Sequence, residues 1–268
     1  MDKRTLVILI GIALCAAGLT STGCKSSKTT LSPEQTGSEE TLFKLGQEAL
    51  KKDPEKGRLY LRQVIESFPK GFYAQRAKIA IADSYFEKGD EGNMIMAANE
   101  YREFISLFPF SPSAPYAQFR IAMTFYAKIL KPDRDPTKTI QALAEFKRLL
   151  TAYPTSDEAR QAQDKIKDCE ERLAANSLGV AIHYNRVWAF SASVSRLNEI
   201  LQAYPLFSRM DEVFFYLGDS YLRWGKIDQC EAYFIKVITD FPKSPFVKKS
   251  QENLKLLEAA KKKAVPKK

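Results

Sequence analysis

The sequence has little of the chemistry that enzymes use. Its 268 residues include a single histidine, His183, and no cluster of histidine and cysteine at metal-ligand spacing. It contains no GxxxxGK[ST], GxGxxG, HExxH or GxSxG motif, and its adjacent acidic pairs point to different sides of a helix. A lone histidine in a helical stretch is typical of a packed or half-exposed aromatic side chain. We therefore expect a protein that is not an enzyme and that needs no cofactor and no metal.

Cysteine is also scarce, with four in the whole chain. Cys15 lies in an N-terminal apolar run and Cys24 follows that run, which leaves Cys169 and Cys230 for a folded domain. An oxidising compartment would allow a disulfide between these two. We favour two small buried side chains instead, because Cys230 falls at a packing position of the repeats described below.

The N-terminus has the form of a secretory signal. After a short charged start, the apolar run TLVILIGIALCAAGLT (5–20) precedes STGCK (21–25). The small residues before Cys24 are similar to a bacterial lipobox, with Ser21 where leucine is usual. We expect residues 1–23 to be a signal peptide, and Cys24 to carry a lipid, with palmitate, at the start of a flexible tether, 24–40. An ordinary signal with an incidental cysteine and an uncleaved membrane anchor are the alternatives.

The net charge of +9 is concentrated at the C-terminus. The segment KKKAVPKK (261–268) supplies five lysines, so the rest of the chain is close to balance. The basic character therefore does not indicate a face for nucleic acid. We assign residues 251–268 to a basic tail, which either meets anionic lipid or an acidic partner or is a solvated chain end.

Five short phrases of the sequence end in the same way. They are ESFPKG (66–71), SLFPFSP (106–112), TAYPTS (151–156), QAYPLF (202–207) and TDFPKSP (239–245). Large apolar residues lie eight and five positions before each proline, and a small residue lies twelve before it. The small residues are Gly57, Ala97, Ala142, Ser193 and Cys230. Such spacing puts all three on one helix face, and the aromatic–proline pair ends the helix.

The fifth copy, FFYLGDSYLRWGKIDQCEAYFIKVITDFP (214–242), has the tetratricopeptide pattern, with Cys230 where alanine is usual. The predicted fold is all-α, a tetratricopeptide-like helical-hairpin solenoid of about five repeats with a right-handed twist and a concave groove. We place repeats 1–3 at 41–155 and repeats 4–5 at 156–250. The long helical segment 157–188 would link the two groups.

Binding is the function class that remains. A stack of helical hairpins accepts an extended peptide or another domain in its groove. Four aromatic residues outside the repeat frame are candidate anchors: Phe110, Tyr116, Trp188 and Trp224. Packing between repeats is the alternative for each of them.

The lipobox-like start, the tether and the five repeats together resemble the BamD family, outer-membrane lipoproteins of the β-barrel assembly machinery, over about residues 40–245. Three stretches carry the resemblance. They are FPFSPSAPYAQFRIAM (108–123), DRDPTKTIQALAEFKRLLTAYPTSDEA (133–159) and VAIHYNRVWAFSASVSRLNEILQAYP (180–205). His183 departs from the family, where tyrosine is common at that position.

The resemblance implies an outer-membrane protein, lipid-anchored on the periplasmic face, that assists the insertion of β-barrel proteins. Its C-terminal repeats would hold the POTRA domains of the central barrel protein BamA, with Arg196 and Trp224 as candidate contacts. Its N-terminal repeats would bind unfolded barrel substrates in a groove near Phe110 and Tyr116. Other accessory lipoproteins are further partners, and Arg134, in the DRDP turn, is expected to be structural.

Three other functions remain open at this point. The same fold would suit a periplasmic scaffold for cell-wall or division proteins, or a pilotin that binds the C-terminal segment of a secretin. An envelope enzyme or lytic factor is the third, and the missing catalytic groups argue against it.

Overall fold

The computed structural model describes residues 38–264, with side chains described to residue 259, and within that range it contains eleven α-helices and no strand. They are α1 (Glu39–Lys52), α2 (Pro54–Ser67), α3 (Phe72–Phe86), α4 (Glu91–Leu107), α5 (Ala114–Tyr126), α6 (Thr137–Ala152), α7 (Asp157–Arg186), α8 (Phe190–Ala203), α9 (Met210–Arg223), α10 (Ile227–Asp240) and α11 (Val247–Ala264). The first ten pair as five consecutive hairpins, which confirms the predicted all-α repeat fold. The predicted signal peptide, Cys24 and nearly all of the tether lie outside the described residues.

The second helix of every repeat ends at the aromatic residue before proline. Phe68, Phe108, Tyr153, Tyr204 and Phe241 all leave the helical region, with φ between −129° and −137°. Each of them still donates its backbone N–H to the carbonyl four residues earlier. Proline disfavours helical geometry in the residue that precedes it, so the repeated phrase acts as a stop signal five times.

The apolar positions of the repeat frame form the core. The large residues eight and five positions before the five prolines are all fully buried: Leu61, Val64, Tyr101, Phe104, Phe146, Leu149, Leu197, Ile200, Phe234 and Val237. The small residue of each repeat is buried beside them, where the two helices of a hairpin approach closely. Burial of one such side chain contributes about 1.5–3 kcal/mol to stability.

One long helix joins two parts of the core. The side chains of Ala162 and Cys169 in α7 belong to the cluster built by repeat 3. One to three turns later, Ala174, Leu178 and Ala181 belong to the cluster of repeats 4 and 5. The 30-residue helix α7 is therefore shared between the two groups of repeats, as its length in the sequence suggested.

The helical stack continues past residue 250, the predicted start of a basic tail. Residues 251–264 lie within α11, and Leu257 is buried against the C-terminal cluster with Leu254 beside it. An apolar face covers the end of repeat 5, as a terminal helix must in a solenoid. The predicted tail is thus a capping helix over most of its length.

Cys169 and Cys230 are both buried, and no disulfide joins them. Burial raises the pKa of the Cys169 thiol to about 12, so it remains protonated at neutral pH. Between residues 38 and 264, no helix is both long enough and apolar enough to cross a bilayer.

Candidate partner-binding surfaces

An open groove of about 650 Å³ crosses the first helices of repeats 1 and 2 and reaches the turn before α5. Phe43 from α1 and Phe72 from α3 line it, and Phe72 is 72% exposed. The guanidinium carbon of Arg76 lies 5.3 Å from the ring centroid of Phe72 and 6.0 Å from that of Phe43. The groove therefore combines an aromatic wall with a positioned cation.

Tyr116 lies behind this groove and is held by the fold. Its hydroxyl donates to Asp83 Oδ1 at 2.8 Å, and the hydroxyl of Tyr101 donates to the same oxygen. Burial, with the nearby Asp83 carboxylate, raises the pKa of Tyr116 to about 12. Arg120 completes the cluster, with Nε 3.2 Å from the Tyr101 hydroxyl. Tyr116 thus positions Asp83, which lines the groove, while Tyr116 itself lies outside the residues that line it.

Phe110, in contrast, is 98% exposed at the rim of the same groove. It follows Pro109 in the turn between α4 and α5, and the next residues of that turn line the groove. In the corresponding turns of repeats 1, 3 and 5 this position is held by Lys70, Thr155 and Lys243. Repeat 4 has Leu206 there, also nearly fully exposed.

Ion pairs connect the second helices of the first three repeats at equivalent positions. Arg62 in α2 lies 3.1 Å from Glu100 in α4, and Arg102 in α4 lies 3.4 Å from Glu145 in α6. The first helix of the same repeat supports each carboxylate. Lys78 Nζ is 2.8 Å from Glu100, and Gln118 Nε2 donates to Glu145 at 2.9 Å.

This series of pairs stops at repeat 4. The position of Arg62 and Arg102 is held by Lys147 in repeat 3, and the position of the two glutamates is held by Arg196 in repeat 4. Two cations cannot pair, and Lys147 binds Glu170 in α7 instead, at 2.8 Å. Among the described residues, the one ion pair of Arg196 is with Glu199 on its own helix, and its side chain is 49% exposed. Arg196 is therefore a surface cation at a position that joins repeats elsewhere.

The turns of repeats 4 and 5 carry the two tryptophans of the chain. Trp224 is 39% exposed and stacks on Tyr221, with an interplanar angle of 10° and Lys226 Nζ 3.6 Å from its ring. Trp188 is 71% exposed, and the guanidinium carbon of Arg223 lies 4.9 Å from its ring centroid. Arg223, which contacts Trp188, directly precedes Trp224 in the chain, and we treat the two indoles and the two cations as one candidate patch.

Beneath this patch lies a hydrogen-bond network of three neutral side chains, Asn185, Ser193 and Ser220, which also reaches Asp219 and Arg223. Asn185 Nδ2 donates to Ser220 Oγ at 2.9 Å, and Ser220 lies 3.0 Å from Ser193 Oγ. Ser193 also donates to the carbonyl of Ala181 at 2.9 Å, and Arg223 donates to Asn185 Oδ1. Ser193 holds the small-residue position of Gly57, Ala97 and Ala142, so the network adds hydrogen bonds between repeats 4 and 5 at a position that carries no polar side chain in the first three repeats.

The DRDP turn is held through its backbone carbonyls, whereas the expectation gave the structural role to Arg134. Among the described residues, the exposed Arg134 side chain pairs only with Asp133, at 3.9 Å. The turn is fixed through its backbone, where Asn176 Nδ2 donates to the carbonyls of Pro132 and Arg134 at 2.6 and 3.3 Å. Sequence reasoning missed Asn176 because it lies more than forty residues from the turn that it supports.

The structure gives His183 no metal-binding companions. The histidine is exposed on α7, with Tyr184 as its ring neighbour at 6.3 Å. In the described part of the chain, no group of three or more histidine, cysteine, aspartate or glutamate residues is arranged to hold a metal ion.

The chain is similar to a set of curated bacterial proteins over most of its length. A protein of Neisseria meningitidis serogroup A is 29% identical over 92% of this chain and 94% of that protein. A protein of Caulobacter vibrioides is 26% identical over 81% and 70%, and one of Rickettsia prowazekii 25% identical over 87% and 91%. All three are named outer membrane protein assembly factor BamD, and the names describe no enzyme.

Solved tetratricopeptide-repeat structures overlay only loosely, so the repeat assignment stands on the helix pairs described above. The P58(IPK) repeat domain, for instance, is 15% identical over 84% of this chain and 67% of that chain, with a TM-score of 0.38. A family model, YfiO, described as outer membrane lipoprotein, matches residues 35–233. Because that match spans well over half of the chain, the protein belongs to the YfiO family of outer membrane lipoproteins.

Proposed function

We propose that the protein is an outer-membrane assembly factor that works on β-barrel proteins from the periplasmic face, anchored by a lipid on Cys24. Its last two repeats bind the POTRA domains of a BamA-like barrel protein, and its first three bind unfolded barrel substrates. Family membership and the names of the BamD relatives support the general role. The two separate surfaces of the repeat stack support the division of labour.

The observation that carries the proposal is the position of Arg196. Its counterparts in repeats 2 and 3 are carboxylates that join neighbouring repeats, whereas Arg196 points its guanidinium to solvent beside Glu199. A fork of N–H donors matches a carboxylate on a partner surface, and arginine is enriched at the centres of interfaces. Among the described residues, Arg196 forms no ion pair with a neighbouring repeat, and its exposed side chain can contact a partner.

The N-terminal groove suits an extended segment of an unfolded chain. Strands of a barrel protein alternate apolar and polar side chains, and the groove offers the exposed ring of Phe72 to the apolar ones. Arg76 supplies a cation for a carboxylate of the segment, and Phe110 extends the apolar surface at the rim. A substrate that is still unfolded can enter such a groove, because its backbone is not yet paired.

Affinity purification from native membranes in mild detergent tests the C-terminal part of the proposal. The wild-type protein should co-purify a POTRA-bearing barrel protein in stoichiometric amount, and Arg196→Ala should reduce that amount severalfold with unchanged helical circular dichroism. Arg209→Ala is a matched control, since Arg209 is 48% exposed and pairs with Glu212 three residues on. Loss of helix in Arg196→Ala, or recovery of a secretin or of cell-wall or division proteins instead, would refute it.

A photo-crosslinking residue tests the groove. Placed at position 110, it should capture unfolded barrel precursors during their export. Placed at Lys243, the same turn position of repeat 5, it should capture far less. Equal capture at the two positions would contradict the assignment of substrates to the first repeats.

Cys24→Ser should release the protein from the membrane if the lipid is its anchor.

A further inference from the structure

Three turns between the two helices of a repeat place one residue at positive φ. In repeats 2 and 5 that residue is glycine, with φ +73° at Gly89 and +79° at Gly225. In repeat 4 it is Trp188, with φ +66°, the one non-glycine residue at positive φ between residues 38 and 264. A side chain with a Cβ is strained in this conformation and glycine is not. Trp188 therefore occupies a position where glycine would favour the fold.

Burial does not offset this strain. The indole is 71% exposed, and its ring contacts are Phe190, at 5.8 Å, and Arg223. Burying a tryptophan side chain in a core stabilises the fold through the apolar area removed from water. Because most of Trp188 stays exposed, its burial contributes little to stability. A strained backbone that carries an exposed large side chain indicates a contact outside the chain.

The surroundings of the indole are already organised for such a contact. Arg223 is held against the ring by Asn185 Oδ1 at 2.5 Å and by Asp219 at 3.6 Å. In the next turn, Trp224 is fixed between Tyr221 and Lys226. Side chains that are fixed before binding lose little conformational entropy on binding. The patch therefore presents two indoles and two cations in a set geometry.

We propose that Trp188 is the anchor of this patch, and that the patch binds an apolar, carboxylate-bearing surface of the POTRA domains of the barrel protein. The proposal rests on the function proposed above and extends it from Arg196 to the turns of repeats 4 and 5. Charge complementarity selects the partner chemistry. Asp219 is engaged by Arg223, Arg186 and Lys226 are exposed, and Asp228 is an exposed acidic neighbour, so the charges beside the indole faces sum to net positive.

The substitution Trp188→Gly separates a role in binding from a role in folding. It removes the indole and also gives the turn the residue that Gly89 and Gly225 provide in the other repeats. The thermal midpoint of the full-length protein in detergent should therefore stay the same or rise. Its affinity for purified soluble POTRA domains should fall by at least about tenfold, as at an interface hot spot.

Leu206→Ser is the matched control, because Leu206 is a nearly fully exposed apolar residue in a turn at the other end of the same repeat. It should bind POTRA domains as the wild type does. A Trp188→Gly protein that binds like the wild type overturns the inference, and so does one that unfolds at a lower temperature. If the wild-type protein itself fails to bind POTRA domains, the function proposed above falls first, and the wild-type titration alone reveals it.

Discussion

The first three repeats and the last two are built on the same frame but joined by different chemistry. Charged side chains connect the second helices of repeats 1 to 3, through Glu100 and Glu145. Repeats 4 and 5 are connected by the neutral side chains of Asn185, Ser193 and Ser220, with Asp219 and Arg223 bonded to Asn185. Where charged side chains join neighbouring repeats, they are paired with each other inside the stack. In repeats 4 and 5, Arg196 pairs within its own helix and Lys226 is exposed beside Trp224, so these two cations remain at the surface.

Helix α7 joins the two groups of repeats and therefore decides whether they unfold together or separately. Its first part is in the core of repeat 3 and its second part is in the core of repeats 4 and 5. In a solenoid, stability is a sum of repeat and interface terms, so a shared helix couples its neighbours. The two groups of repeats should therefore differ at the surface and still unfold together.

The largest effect is expected from Phe146→Ala, which tests that coupling. Phe146 is fully buried in repeat 3, with ring neighbours Phe119 and Tyr126 at 5.7 and 5.9 Å. Its removal should lower the free energy of unfolding by about 3–5 kcal/mol. Circular dichroism reports all helices, while tryptophan fluorescence reports only the last two repeats, which hold Trp188 and Trp224.

If α7 couples the halves, both signals shift together in Phe146→Ala. The equivalent substitution in repeat 5, Phe234→Ala, provides the comparison, because Phe234 is also fully buried. It too should shift both transitions. A fluorescence transition that stays at its wild-type midpoint in Phe146→Ala would show that the halves unfold independently.

A smaller effect is expected from Gly57→Ala. A Cβ added at Gly57 would lie 2.5 Å from the backbone nitrogen of Leu50 and 2.7 Å from its Cα, so α1 and α2 must move apart. The cost should be about 1–3 kcal/mol, as for overpacked cores, even though alanine is the better helix former. Ala97→Gly at the same position of repeat 2 is the converse measurement. Urea denaturation that finds Gly57→Ala as stable as the wild type would contradict the close approach.

The smallest effects compare the two joining chemistries directly. Glu145→Gln keeps the shape of the side chain but weakens its bonds to Arg102 and Arg148, which should cost about 1–2 kcal/mol. Ser220→Ala should cost about 1 kcal/mol. Added salt should shrink the first difference and leave the second unchanged, because only the first involves net charges. Equal salt sensitivity of the two variants would contradict the difference in joining chemistry between the first three repeats and the last two.

The sequence predicted the repeat frame well because the signals that define it are local. An aromatic–proline pair ends a helix whatever surrounds it, and the spacing of small and large residues defines one helix face. The candidate sites were harder to predict. Phe110 and Trp224 are exposed, but Tyr116 is fixed to Asp83. Phe72 and Arg76 escaped notice because the groove forms only when α1 and α3, from different repeats, lie side by side.

The sequence by itself determined where the second helix of each repeat ends and which positions of that helix fill the core. Only the tertiary structure decided that position 57 needs glycine while position 97 accepts alanine, because the distance between two helices depends on the packing of all their side chains. It also decided that α11 continues the stack and that Trp188 lies in a glycine conformation. A pattern of residue types predicts on which face of its own helix each side chain lies. The separation and angle between helices come from contacts across the fold, and these place the surfaces that meet a partner.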